Sequence, residues 1–292
     1  MNFFERHRSL LTLHFTVLIW GFTGILGSLI SIPALQLVWY RVLIAGATLA
    51  VYHWIAKKSV GVPASQMLKF MGIGVLVGLH WYLFFEAIKV STVSVTLVSL
   101  SSMTLFTAIL EPIYYRRKLS IGDIIVGLII ILGIYLIFKF EFQYWLGILL
   151  GLAAAACASI FSILNSKLVK TTEPSIITQY EMFGALIGLS IVMLFSGGFN
   201  ADMALNVSDF VFVFILGSIC TALAYVMGVA VMKNLGAFTV ALVNNLEPVY
   251  GIILAFFILG STEKMSLGFY AGAIIVLGAV FIYPLIRKKI NA

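Results

Sequence analysis

Charge is what this sequence has least of. Lys, Arg, Asp and Glu make up 10% of its 292 residues, against about 25% in ordinary soluble domains. So few charges cannot cover a water-facing surface, which excludes a soluble globular protein. Cysteine is nearly absent as well. Cys157 and Cys220 lie inside apolar runs, so there is no disulfide framework, and both read as small packing residues. The four histidines, His7, His14, His53 and His80, are scattered. Neither an H-E-x-x-H motif nor a carboxylate pair at working spacing accompanies them, so the sequence offers no metal or two-carboxylate chemistry. A G-x-x-x-x-G-K-[ST] loop is also missing, which excludes direct use of ATP. No loop exceeds about a dozen residues, leaving no room for a soluble catalytic domain. No cofactor is expected.

What is present is apolar sequence. Hydrophobic residues are 62% of the chain and the mean hydropathy is +1.12, so lipid is its natural solvent and membrane lipid its first partner. A spanning helix needs roughly 20 mostly apolar residues. Ten segments qualify, near 9–30, 34–56, 70–88, 91–115, 121–138, 145–167, 175–196, 208–232, 237–259 and 267–286. The first follows Arg6 and Arg8 as a signal peptide would, but it is too long for a signal core and no Ala-x-Ala site follows it, so it is read as a retained helix.

The formal charge of +7 does not point to nucleic acid, because the basic residues sit at segment ends. With a cytoplasmic N-terminus, 14 of the 18 Lys and Arg fall at the inner side, three (Lys89, Lys139 and Lys264) at the outer side, and Arg41 within a span. That asymmetry predicts both termini in the cytoplasm.

The chain also repeats itself. Residues 127–137 read GLIIILGIYLI and residues 272–282 read GAIIVLGAVFI, six of eleven identical at an offset of 145. Tyr40-Arg41 in the second segment echoes Tyr180-Glu181 in the seventh, and Lys89 closes the third as Lys233 closes the eighth. The expected architecture is therefore an all-α polytopic membrane protein of ten transmembrane helices, in two inverted five-helix repeats over 9–138 and 145–286. Five is odd, so the second half enters the membrane from the opposite face. Inverted halves around a midplane site are a mark of secondary transporters, because they can exchange conformations of similar energy.

On these residues the chain resembles the drug/metabolite transporter superfamily, and within it the bacterial EamA-type transporters. The likeness covers nearly the whole chain as two repeats. It is carried by Trp20-Gly21, Arg41, Ala87-Ile88-Lys89, Pro248 and the stretch from Gly260 to Glu263. The first half departs from the pattern at Met103, where a proline is common, and at Lys118, where a Gly-Glu pair is usual. The resemblance implies transport, often export of amino acids or related metabolites, in the bacterial inner membrane.

Polar residues inside the spans mark the candidate site, because a charge at the bilayer centre costs roughly 2.5–3.5 kcal/mol. Asn244, Asn245, Glu247 and Pro248 cluster in the ninth segment. Pro248 has no N–H to give to the carbonyl of Asn244, so a carboxyl, two amides and a freed carbonyl meet near the midplane. Glu247 is read as binding a polar substrate group or taking up a coupled proton. Arg41 is placed to pair with Glu86 as a structural charge or outer gate; the other reading is an anchor for a substrate carboxylate. His80, Trp81 and Tyr82 supply cavity candidates in the third segment, with His80 as a relay or a packing residue. Trp20, Tyr180 and Glu181 complete the set, Glu181 as the inverted counterpart of Arg41. Glycine pairs at 74/78, 147/151, 184/188 and 268/272 are read as helix-packing faces. The function these features imply is alternating-access transport, as an exporter, of a small-molecule substrate, passive or coupled to a proton. The rivals are a membrane-embedded lipid-modifying enzyme and a non-transporting scaffold.

Overall fold

The computed structural model describes residues 3–118 and 121–290. Its elements are α1 (Phe3–Leu29), α2 (Ala34–Ile55), α3 (Ala64–Val90), α4 (Val93–Leu100), α5 (Met103–Tyr114), α6 (Ile121–Phe140), α7 (Trp145–Leu168), α8 (Pro174–Ser196), α9 (Val207–Gly217), a π-helical segment (Ser218–Leu223), α10 (Ala224–Val231), α11 (Ala237–Asn244), α12 (Leu246–Leu259) and α13 (Leu267–Ile290). There is no strand among the described residues. All backbone polar groups in a lipid-facing segment must be satisfied internally, and helices do this within one segment.

Eight helical stretches are long and apolar enough to cross a membrane, and shorter apolar stretches, Ile125–Phe140 and Leu267–Ala279, lie within α6 and α13. The surface is that of a lipid-solvated bundle. Trp54, Phe195, Phe257 and Leu267 are exposed, whereas Arg41 and Glu181 are buried.

Small residues set the helix crossings. A methyl group on Gly74 would overlap the backbone of Glu181, and one on Gly184 would overlap that of Met71, so α3 and α8 touch backbone to backbone. A Cβ on Gly133 would lie 2.9 Å from the Gly272 carbonyl and one on Gly272 2.7 Å from the Gly133 carbonyl, which brings α6 and α13 together. Gly147 and Gly151 similarly admit Ser91 and Ser99. Each glycine pair thus serves close packing between helices.

Two rods are broken at mid-length. Between α4 and α5 the Ser102 hydroxyl donates back to the Ser99 carbonyl at 2.7 Å, and Ser101 to Leu97 at 3.2 Å. Between α11 and α12 the break falls at Asn245, whose amide donates to the Ala241 carbonyl at 2.7 Å and to Thr104 Oγ1 at 2.6 Å. At the first break the hydroxyls add to the backbone N–H groups of Ser101 and Ser102 on the same carbonyls; at the second, Asn245 N turns to the Leu242 carbonyl and its side chain takes over Ala241, and Asn245 ties one broken helix to the other.

Carboxylates stitch one end of the bundle shut. Glu263 accepts from Val93 N (3.0 Å), Ser94 N (2.9 Å) and Ser94 Oγ (2.6 Å). Asp209 accepts from Ser31 N (2.8 Å) and Ser31 Oγ (2.5 Å), and Glu141 accepts from Ser266 N (2.8 Å). At the opposite end, which carries Lys57, Lys58 and the Arg116–Lys118 run, the cross-links include an exposed Lys58–Glu173 ion pair, Tyr180 to the Val60 carbonyl, and His53 with Ser175.

Candidate functional site

A cavity opens between α1, α2, α3, α7, α10 and the two broken rods. It spans about 870 Å³ of non-atom space, open solvent at its mouth included. Its walls are largely apolar and aromatic (Trp20, Trp81, Phe84, Phe161, Val229) and its polar groups are few: Arg41, His80, Asn165, Asn244, Asn245 and Glu247. The lining runs from mid-bundle to Met232 and Val240, beside the basic end. Toward the other end, buried Ile25, Phe85, Ile88 and Val93 fill the interior.

Arg41 is 1% exposed. Its Nε donates to Thr221 Oγ1 at 2.6 Å, and its guanidinium lies 4.2 Å from the Trp81 ring centroid and 5.3 Å from that of Phe85. Nη1 is buried without a partner among the described residues. The pairing with Glu86 expected from sequence is therefore not formed. The reason is local: the π-helical segment turns Thr221 toward α2, with its own hydroxyl donating to the Leu216 carbonyl five residues back. The guanidinium follows that acceptor and the aromatic faces.

Glu247 is also buried, in the first turn of α12, and its carboxyl makes no hydrogen bond among the described residues. Arg41 is the charge it senses, though the two are not in ion-pair contact. Asn244 Oδ1 and Asn245 Oδ1 lack partners too. The site thus presents a cation, a carboxyl and two amide oxygens with unmet bonding capacity, which is costly in a dry interior unless a ligand meets it.

His80 faces the cavity, packed between Phe84 and Phe161, with Nδ1 2.8 Å from the Ala154 carbonyl. A carbonyl only accepts, so Nδ1 carries the proton in this bond.

Of the residues singled out from sequence, Trp20, Arg41, His80, Trp81, Asn244, Asn245 and Glu247 line one cavity. Tyr82, Tyr180 and Glu181 do not. Tyr82 is a helical step away from Trp81 and half-buried on another face. Tyr180 reaches to the loop after α2 and donates to the Val60 carbonyl at 2.9 Å. Glu181 lies behind the wall, beside Asn165 and Tyr225.

The sequence reading missed Asn165, Tyr225 and the Thr221 that orients Arg41. A signal for the first two existed. At the offset of 145, Trp20 maps to Asn165, His80 to Tyr225 and Met103 to Pro248, and all six line the cavity.

The sequence matches the EamA-like transporter family over residues 7–139 and again over 145–283. The chain belongs to that family. As an EamA-like protein with two copies of the family unit and many membrane-length helices, it is a multi-pass membrane protein of the drug/metabolite transporter kind. No curated protein is similar enough in sequence to count as a relative. A solved structure, described only as a crystal structure of a protein, aligns with a TM-score of 0.71 at 16% identity, over 97% of this chain and 99% of the other. At that identity the likeness speaks for the fold.

Proposed function

We propose that this EamA-like chain is a secondary transporter that exports small zwitterionic metabolites, amino acids foremost, across the bacterial inner membrane. One observation carries this reading: Arg41 and Glu247 face one apolar-walled cavity, and neither has a counter-ion in contact among the described residues. A ligand with a carboxylate and an ammonium on an apolar body answers both groups at once. A simple organic cation or anion leaves one of them unmatched. Arg41 binds the carboxylate, Glu247 and the Asn244 and Asn245 oxygens bind the ammonium, and Trp20, Trp81 and His80 bound the apolar part.

Ten spans in two inverted halves, 9–138 and 145–286, give a working cycle. The basic end is cytoplasmic by the distribution of Lys and Arg, and both termini lie there. The cavity then faces the cytoplasm, and alternating access consists of closing that end and opening the carboxylate-stitched one.

Ligand-induced stabilisation tests the substrate class. Thermal unfolding of the purified protein is followed with L-leucine or L-phenylalanine, and with their N-acetyl and methyl-ester derivatives, which remove one charge each. Stabilisation by the free amino acids and not by either derivative is expected. Equal stabilisation by an ester or an N-acetyl form contradicts the zwitterion assignment.

A further inference from the structure

A second buried carboxyl lies outside the substrate cavity. Glu181 sits about two turns into α8. It is fully buried, and neither carboxyl oxygen has a hydrogen-bond partner among the described residues. Its neighbours are Asn165 of α7 and Tyr225 of α10, which are joined to each other by an Nδ2-to-Oη bond of 3.2 Å. Both neighbours line the cavity, and Glu181 does not. The Asn165 Oδ1 atom is unpartnered too. Three polar side chains therefore cross an otherwise apolar wall, from the α8 interior to the cavity. On the α3 side the chain is sealed, because the backbone of Glu181 packs directly on Gly74.

Among the described residues no cation answers this carboxyl. From α2, Arg41 is turned to Thr221 and His53 to Ser175; from α3, His80 is turned to the Ala154 carbonyl and Lys69 is exposed. From α10 the facing ionisable group is Tyr225, and from α7 the facing polar group is the neutral Asn165. With no partner ion, the charge on Glu181 is governed by a proton alone.

We propose that Glu181 is the proton-coupling group of the transport cycle, connected to the cavity through Tyr225 and Asn165, while Glu247 is left to hold the substrate. The transfer is balanced. Once Tyr225 and Glu181, already neighbours, close to hydrogen-bond distance, the Glu181 carboxyl passes its proton to the Tyr225 oxygen as the phenol's own proton leaves toward the cavity. The phenol ends neutral and the carboxylate is what remains. The Asn165 amide already donates to that phenol oxygen, so it fixes the orientation in which the phenol hydrogen exchanges. This inference rests on the transporter reading above, and its test separates the two.

The experiment uses full-length protein in sealed liposomes with labelled L-leucine and L-phenylalanine as probes. Two modes are compared: counterflow exchange without a pH gradient, and accumulation driven by one. Wild type is expected to do both. Glu181→Gln should keep exchange and lose pH-driven accumulation, and Tyr225→Phe should slow accumulation at least about tenfold. Glu247→Gln should lose both through loss of substrate. If wild type exchanges neither probe, the transporter reading fails. If it exchanges them but ignores the gradient, or if Glu181→Gln still accumulates them, the coupling assignment fails and transport stands. A second readout needs no substrate. In the infrared spectrum of reconstituted protein, a carboxylic C=O band that responds to pH should vanish in Glu181→Gln and shift in Tyr225→Phe. An unchanged band pattern overturns the assignment. Should Glu181→Gln fail to fold, Glu181→Asp, which retains a carboxyl one methylene shorter, should slow accumulation while sparing exchange; normal accumulation in it overturns the assignment.

Discussion

Glu263 accepts the backbone N–H groups of Val93 and Ser94, at 3.0 and 2.9 Å, so a carboxylate of the second repeat caps the first turn of α4 in the first. The same carboxylate also takes the Ser94 hydroxyl. At the offset of 145 its counterpart is Lys118, which cannot accept a hydrogen bond. The cavity reaches the basic end and stops short of the end that Glu263 caps.

Removing that cap should loosen the capped end first. Glu263→Ala deletes hydrogen bonds to a charged acceptor, worth about 1.5–3 kcal/mol each where buried. A lower unfolding temperature is expected, together with faster labelling from the external side of a cysteine placed at Leu97, a buried residue of α4. Labelling unchanged in the Glu263→Ala background means that the capped end is not a gate.

Arg41 offers a sharper test of recognition. Arg41→Lys keeps the charge but loses the planar group over Trp81 and the Nε bond to Thr221. The stacking alone is worth about 0.5–2 kcal/mol, so weaker binding of the amino acid probes is expected in Lys and near-complete loss in Ala. Equal affinity in Arg41→Ala, measured by titration calorimetry, removes Arg41 from the site.

The α3–α8 contact predicts a contrast between two glycines of one helix. Gly74→Ala would drive a methyl into the Glu181 backbone, whereas Gly72 has nothing within 4 Å. Overpacking of this kind costs about 1–3 kcal/mol. Gly74→Ala should unfold at lower temperature, and Gly72→Ala should be neutral or slightly stabilised by its better helix propensity. Equal melting of the two variants contradicts backbone contact between these helices.

A pH dependence is expected at the basic end. The hydrogen bond from Lys58 holds the Glu173 carboxyl below its ordinary range. A depressed folded-state value means a contribution present above the unfolded value and lost as pH falls through the folded one. Wild type should therefore exceed Glu173→Gln in unfolding temperature near neutral pH by a small margin, because the pair is exposed. The margin should close in acid and shrink in high salt. A margin that widens in acid contradicts the pairing.

Much of the architecture was legible in hydropathy, because a lipid-facing helix must be apolar over its whole length. The start of α3 was not: Ala64–Lys69 is polar enough to look like loop, yet it continues the helix. Glu247, Asn244 and Asn245 stood out because polar groups inside a span are costly. Asn165 and Tyr225 did not, being neutral residues in apolar runs, visible only through the repeat offset. The orientation of Arg41 was beyond reach because the π-helical turn at Ser218–Leu223 leaves no mark in composition. Tyr82 and Tyr180 were drawn in by sequence adjacency to Trp81 and Glu181, and on a helix consecutive residues point about 100° apart.

The most direct test is counterflow in liposomes without nucleotide. Vesicles containing the purified protein are loaded with unlabelled L-leucine or L-phenylalanine, and entry of the labelled amino acid from outside is followed. Uptake that overshoots equilibrium, needs the loaded amino acid and disappears in Arg41→Ala and Glu247→Gln is the expected result. Uptake no faster than in protein-free vesicles across both probes, from protein that is folded and inserted, would contradict the account.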